Sequence, residues 1–220
     1  MYCPKQDDRK GSLCDEAVRQ RRRAMLDYSH MVPLRDYAAR LRQRPDVEVP
    51  DFDSFDGGIN ARILFLFEKP GPMTADAGRG RRAGSGFISR NNDDPTANAI
   101  FEFMDGIPRL ETVCWNIIPW WNGTIKTTGP EFRDGVREAE TLLGLLKKVS
   151  TVVLVGRRAR QAERHLRPAR PDLEFFTSYH PARRVKNVYR EQWNEIPVIW
   201  RSAHQFVSEE RALRLTVPRE

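Results

Sequence analysis

Four short runs of this 220-residue chain carry side chains able to do chemistry, and each stands at the end of an apolar stretch. Glu68-Lys69-Pro70-Gly71 follows the run 63–67, and Asn116 with Pro119-Trp120-Trp121 closes the run 112–118. Gly156-Arg157-Arg158 follows 151–155, and Tyr179-His180-Pro181 closes 173–179. A carboxylate and an imidazole can move protons. The Asn116 amide offers both a donor and an acceptor, and arginines grip phosphate oxygens. Each group also has a plainer reading: Pro-Gly as a turn, the Asn as a cap for local backbone, the His as a satisfied polar residue. Position is what favours a site, because the strand ends of an open parallel sheet gather on one side, where ligands bind.

The elements that must hold these groups follow from pattern. Ile63 to Phe67 is unbroken apolar sequence, as in a strand buried on both faces. The runs 112–118, 151–156 and 173–179 read as three more strands. Between them, Asp94-Pro95 starts a helix, with Asp as N-cap and Pro at the first helical position. Glu131 to Lys148 reads as an amphipathic helix, and a basic helix runs to about Leu166. Strands alternating with helices give an α/β fold with a parallel sheet covered on both faces. Leu13 to Arg42 reads as helical, bent near Pro33, and Tyr189 onward as helical with a charged tail. Residues 1–12 are polar and expected to be disordered, 44–58 form a Pro/Asp/Gly connector, and 71–91 form a long Gly/Arg-rich loop.

Composition narrows the classes. The 40% hydrophobic content suits one domain with an extension. The 37 Lys+Arg exceed the 30 Asp+Glu, giving +7. The basic residues cluster at 19–23, 79–82, 157–170 and 183–190, which favours a basic face that meets phosphate. Cys3, Cys14 and Cys114 lack metal-site spacing, and three thiols cannot make a four-thiolate cluster. No cofactor or metal is therefore expected. No signal peptide and no apolar stretch of ~18 residues is seen, so a cytoplasmic protein without a membrane partner is expected.

The segments "FEKPGPMT", "GSGFISRNNDDPTA", "WNIIPWW" and "SYHPARR" resemble, in order and spacing, the uracil-DNA glycosylase superfamily, most closely bacterial members without a bound cluster. The resemblance runs from about Val49 to Tyr189. It implies a three-layer α/β/α sandwich around a four-stranded parallel sheet. It divides the chain into an N-terminal helical extension at 1–48 packing on or near the core, a glycosylase-like domain at 49–207 and a charged tail at 208–220. The implied activity is removal of uracil or a modified pyrimidine from single- or double-stranded DNA by a monomer, leaving an abasic site, as in base-excision repair.

On this resemblance Phe87 stacks on the flipped base, Asn116 reads its Watson–Crick edge, and His180 with the Pro70-Gly71 turn supports the departing base. The family often has an Asp where Lys69 stands, so Glu68, Asp93 and Asn92 become the candidates to orient water, while Asp94 is a helix cap. Lys69 is left to a phosphate or to an ion pair near Glu68. Arg183 and Arg184, after an Ala182 that replaces a common Ser, enter or flank the minor groove or hold phosphate. Arg157 and Arg158 suit backbone contact. Two alternatives stay open: a glycosylase for a modified base, such as one in phage DNA, and a DNA-binding member without catalysis. A generic nucleotide-binding α/β enzyme is disfavoured by the lack of a GxGxxG or GxxxxGK[ST] loop.

Overall fold

The computed structural model describes residues 6–71 and 84–216. Along the chain come α1 (Glu16–Ala24), α2 (Val32–Leu41), β1 (Asp51–Phe52), β2 (Ile63–Phe67), β3 (Phe87–Ile88), α3 (Pro95–Phe103), β4 (Thr112–Asn116), α4 (Gly129–Leu145), β5 (Thr151–Val155), α5 (Arg157–Ala169), β6 (Glu174–Ser178), α6 (Arg183–Val188) and α7 (Arg190–Thr216). The apolar runs are the strands that the pattern predicts. Every residue of β2, β4 and β5 is buried, as a strand covered on both faces requires.

Four strands form a parallel sheet in the order β4-β2-β5-β6. The helices cover both faces, giving the three-layer α/β/α arrangement. On one face α7 seats Trp200, fully buried, with its ring 5.0 Å from Phe65 and its indole N–H donating to Ser178 Oγ at 2.9 Å. On the other, α5 buries Ala159, Ala162 and Leu166. α2 joins the same core through Met31, Leu34 and Leu41, and Tyr37 reaches α4 by donating to the Glu138 carbonyl at 3.1 Å.

The register fixes the site. Phe67 pairs with Asn116, so the last residues of β2 and β4 stand side by side. The pairing continues one step beyond, with Ile117 N–H donating to the Phe67 carbonyl at 2.8 Å and Ile118 N–H to the Glu68 carbonyl at 3.0 Å. α4 closes on this end because Gly135 lies where any Cβ would stand 2.3 Å from the Ile117 carbonyl.

Three features lay outside the sequence pattern. β1 and β3 form a separate two-stranded parallel sheet, pairing Asp51 with Phe87 and Phe52 with Ile88. Residues 6–12, expected to be disordered, are pinned: Asp7 accepts a two-pronged bond from Arg21 at 2.7 and 2.8 Å, and Asn91 donates to the Arg9 carbonyl. Finally, α7 runs unbroken from Arg190 to Thr216, so the described part of the charged tail continues the helix. The Arg79–Arg82 cluster and Cys3 lie outside the described residues.

Candidate functional site

The ends of β2 and β4, the segment after β3, the start of α3 and His180, two residues beyond the end of β6, enclose a cavity of about 270 Å³. That is near the small end of ligand pockets, which run to about 300–1,000 Å³. Of the residues expected from sequence, Lys69, Pro70, Gly71, Asn116 and His180 line it. Asn92, named as a water-orienting candidate, lines it as well, and so does Asp94.

The polar atoms facing this space are short of partners. Asn116 is 5% exposed and its Nδ2 has no hydrogen-bond acceptor. Asn92 spends its Nδ2 on the Phe87 carbonyl at 3.0 Å, which leaves its buried Oδ1 without a donor. Arg90 is 7% exposed with an unpartnered Nε. Buried polar atoms are nearly always hydrogen-bonded, so orphans collected around one cavity mark where a ligand bonds. Asp94 is anchored as the α3 N-cap, with Oδ1 accepting from Thr96 N at 2.9 Å and Ala97 N at 3.0 Å.

Burial lowers the pKa of His180 below the ordinary value of 6.5, against the opposing pull of the Glu68 and Asp94 carboxylates. The imidazole is therefore neutral at pH 7 and still has one N–H to donate. Its ring stands edge-on to Phe67 at 6.1 Å and 78°. Cys114 also lines the cavity; burial pushes its thiol pKa well up, which keeps it neutral and inert.

Several expected residues lie elsewhere. Phe87 is fully buried and does not line the cavity, whereas its neighbour Ile88 does. Successive side chains of a strand face opposite ways, so β3 can send only one of the two inward. The aromatic ring in the wall is instead Phe67. Glu68 is not in the lining either: its Oε1 accepts from Arg158 N at 2.7 Å, capping α5. The helix needs this because its own N-cap is Gly156, at φ 96°, where a Cβ would meet Glu68 Oε1 at 2.7 Å. Asp93 is exposed and outside the cavity.

Lys69 is likewise committed, neither to a phosphate nor to Glu68. Its ammonium bonds Glu131 Oε1 at 2.6 Å, Asn122 Oδ1 at 2.8 Å and the Lys126 carbonyl at 3.3 Å, with the side chain 4% exposed. Glu131 also accepts from the Trp120 indole at 3.1 Å. Three donors for three acceptors leave nothing on Lys69 for a DNA backbone.

No family model matches the chain, and no curated protein matches it. Among solved structures, the crystal structure of wild-type UNG from Nitratifractor salsuginis is similar at 14% identity and a TM-score of 0.39, over 82% of this chain and 96% of that one. At that degree of likeness the functional weight falls on the cavity itself.

Beside it, α6 begins three residues after His180 and presents Arg183 and Arg184 to solvent. Tyr179, 44% exposed, stacks on Tyr189, 42% exposed, with ring centroids 6.4 Å apart. Arg157 is exposed and Arg158 half-buried at the start of α5. In the Arg19–Arg23 run only Arg22 is buried, on Asp53; Arg21, exposed, holds Asp7, and Arg19 holds the exposed Glu16. No helix of the described residues is long and apolar enough to cross a membrane, and no cluster of metal-ligating side chains occurs among them.

Sequence reasoning missed Arg90 and the wall position of Asp94. The Asp94 signal was present, since an N-cap directly after a strand-end loop must sit at the sheet edge. Nothing in the sequence marked Arg90 as different from the other arginines.

Proposed function

We propose that the cavity receives a pyrimidine-type base turned out of DNA and that the protein hydrolyses its N-glycosidic bond, leaving an abasic site. The observation that carries this reading is the unpartnered amide of Asn116 at the floor of a nucleobase-sized cavity whose rim holds a neutral imidazole. An enzyme acting on a base must first take it out of the stack, and it then reads the base by its hydrogen-bonding edge. Asn116 Nδ2 donates to a ring carbonyl, and Phe67 supplies apolar wall.

As the bond from C1′ to the base nitrogen breaks, the electron pair leaves with the base. His180 donates its N–H to the growing negative charge, and a preorganised donor of this kind is worth about 10²–10³ in rate. The Asp94 carboxylate favours the cationic sugar. Asn92 Oδ1, an open acceptor, holds one O–H of the water that bonds to C1′; the proton released by that water goes to solvent or to the departed base. Glu68, as helix cap, and Asp93, outside the cavity, have no part in the reaction. Arg183, Arg184 and Arg157 neutralise phosphates, and the stacked Tyr179–Tyr189 pair offers a flat face to an unpaired base.

The test is excision from uracil-containing single- and double-stranded DNA by the parent, His180→Ala and Asn116→Ala. Losses of about 10²-fold or more are expected in both variants. Full activity in both would remove the assignment.

A further inference from the structure

Among the described residues, Arg90 is a cavity-lining cation with no carboxylate at ion-pair distance, and Asp56 and Asp8 act on it only from farther away. Its side chain is 93% buried on the residue scale, being 7% exposed, and it lines the cavity. Its buried Nε has no hydrogen-bond partner, and among the described residues no ion pair reaches its guanidinium. Lys69, in the same wall, is by contrast saturated by Glu131. The neighbouring acids are engaged by other arginines: Asp56 forms an ion pair with Arg109, its Oδ1 3.1 Å from Nε, and Asp53 holds Arg22 and Arg109 together. Burial, and then the positive charge of Arg109, push the Arg90 pKa down, and the pull of the Asp56 and Asp8 carboxylates does not make up for it.

Leaving a guanidinium unpaired in an interior costs several kcal/mol, and buried charges are ordinarily paired. Its planar fork of donors matches two oxygens of an acid side by side. A cost held open at a cavity implies a ligand that closes it.

We propose that Arg90 is the seat for negative charge on the base held in this cavity. The inference rests on the glycosylase reading for the identity of the ligand, but the seat itself rests on the unpaired guanidinium. The charge has two possible sources: an acidic substituent carried by the base before cleavage, such as a carboxylate on a pyrimidine ring, or the charge that reaches the ring as the glycosidic bond breaks.

Equilibrium binding of free 5-carboxyuracil and free uracil, excision from DNA carrying either base, and thermal melting are measured for the parent, Arg90→Gln and Arg90→Met. An Arg that binds ligand at the cost of stability predicts that Arg90→Met melts no lower than the parent. If the source is a substituent, the parent binds 5-carboxyuracil at least tenfold more tightly than uracil, and both variants erase the difference. If the source is the leaving base, the two free bases bind alike and both variants slow uracil excision by about 10²–10³ with KM unchanged.

Either pattern supports the seat. Variants that bind and excise as the parent does, or that melt several degrees lower with ligand preference intact, overturn it and make Arg90 structural. Arg90-dependent binding of 5-carboxyuracil with no excision from any DNA keeps the seat and removes the glycosylase reading.

Discussion

Asn91 and Asn92 are neighbours with the same side chain, both buried, and they face opposite fates. Asn91 Oδ1 accepts from Arg22 at 2.9 Å and from Arg109 at 2.7 Å, while its Nδ2 donates to Asp8 at 3.1 Å and to the Arg9 carbonyl at 2.9 Å. Asn92 keeps an orphaned oxygen at the cavity. The contrast extends to the arginines around them. Arg22 and Arg109 share Asp53, with Asp56 and Asp8 completing the pairing of Arg109, whereas Arg90 has no ion pair among the described residues and an unpartnered Nε. One polar region is closed in its charges, each with an opposite charge beside it even though Arg22 and Arg109 each leave Nε without a hydrogen bond, and it ties the N-terminal segment to the sheet. The other is left open, at a cost, and that openness is the physical signature of a site.

The titrations of the closed region follow the same logic. Burial alone would raise the Asp53 carboxyl, but Arg109 and Arg22 outweigh it and hold it well below the usual range. Asp56 has only Arg109 at ion-pair distance, and burial pushes it up to about 6.

The comparison breaks most severely if Asp53 is removed. Asp53→Asn strands the buried Arg22 guanidinium, while Arg109 keeps Asp8 and Asp56, and should cost about 3–5 kcal/mol, seen in thermal melting as about 2–4 °C per kcal/mol. A melting temperature equal to the parent's would mean that the closed network does not hold the fold. Asn92→Ala is its counterpart on the open side. Excision should fall about 10²-fold, with stability changing by about 1 kcal/mol from the lost bond to the Phe87 carbonyl. A variant that loses stability but keeps its rate would put Asn92 among the structural groups.

Glu68 sharpens the boundary between the two regions. As a cap, Glu68→Ala should cost about 0.5–2 kcal/mol of stability, while Glu68→Gln, which keeps an acceptor, should excise at close to the parental rate. A 10²-fold loss in Glu68→Gln would make the carboxylate a participant in the reaction. Phe87→Leu, which keeps an apolar but smaller side chain on the core side of β3, should cost about 1–2 kcal/mol and leave excision near the parental rate. Strong loss of activity at unchanged stability would return Phe87 to the base.

The smallest effect is in pH. His180 has a lowered folded pKa, so as pH falls through 6.5 the unfolded chain takes up the proton first and stability is lost toward the folded value. His180→Gln should therefore lose less melting temperature than the parent between pH 7 and 5. His30, also lowered by burial, and Asp56, whose raised pKa acts with the opposite sign, are present in both proteins and cancel in the difference. Equal losses would mean that His180 is solvated.

The sheet was readable because strands buried on both faces are uninterrupted apolar runs, and the α3 start because Asp94-Pro95 states both its cap and its first turn. β1 and β3 were not, since two residues carry no periodicity. Phe87 was misplaced for a related reason: the sequence shows an aromatic beside glycines, but only the pairing with Asp51 and Phe52 decides which of Phe87 and Ile88 turns inward. Lys69 looked available because its acceptor, Glu131, lies 62 residues away. Arg21 and Arg22 read only as part of a basic cluster because their partners, Asp7 and Asp53, are brought to them by folding.

The most direct test of the account is the fate of the target nucleotide. DNA carrying uracil or modified pyrimidines is incubated with the protein, and released base and alkali-labile sites are counted together. The account predicts one free base for each abasic site, with the strand intact until alkali is added. DNA that is retained by the protein while neither product forms would show that the cavity binds without hydrolysing, and would contradict it.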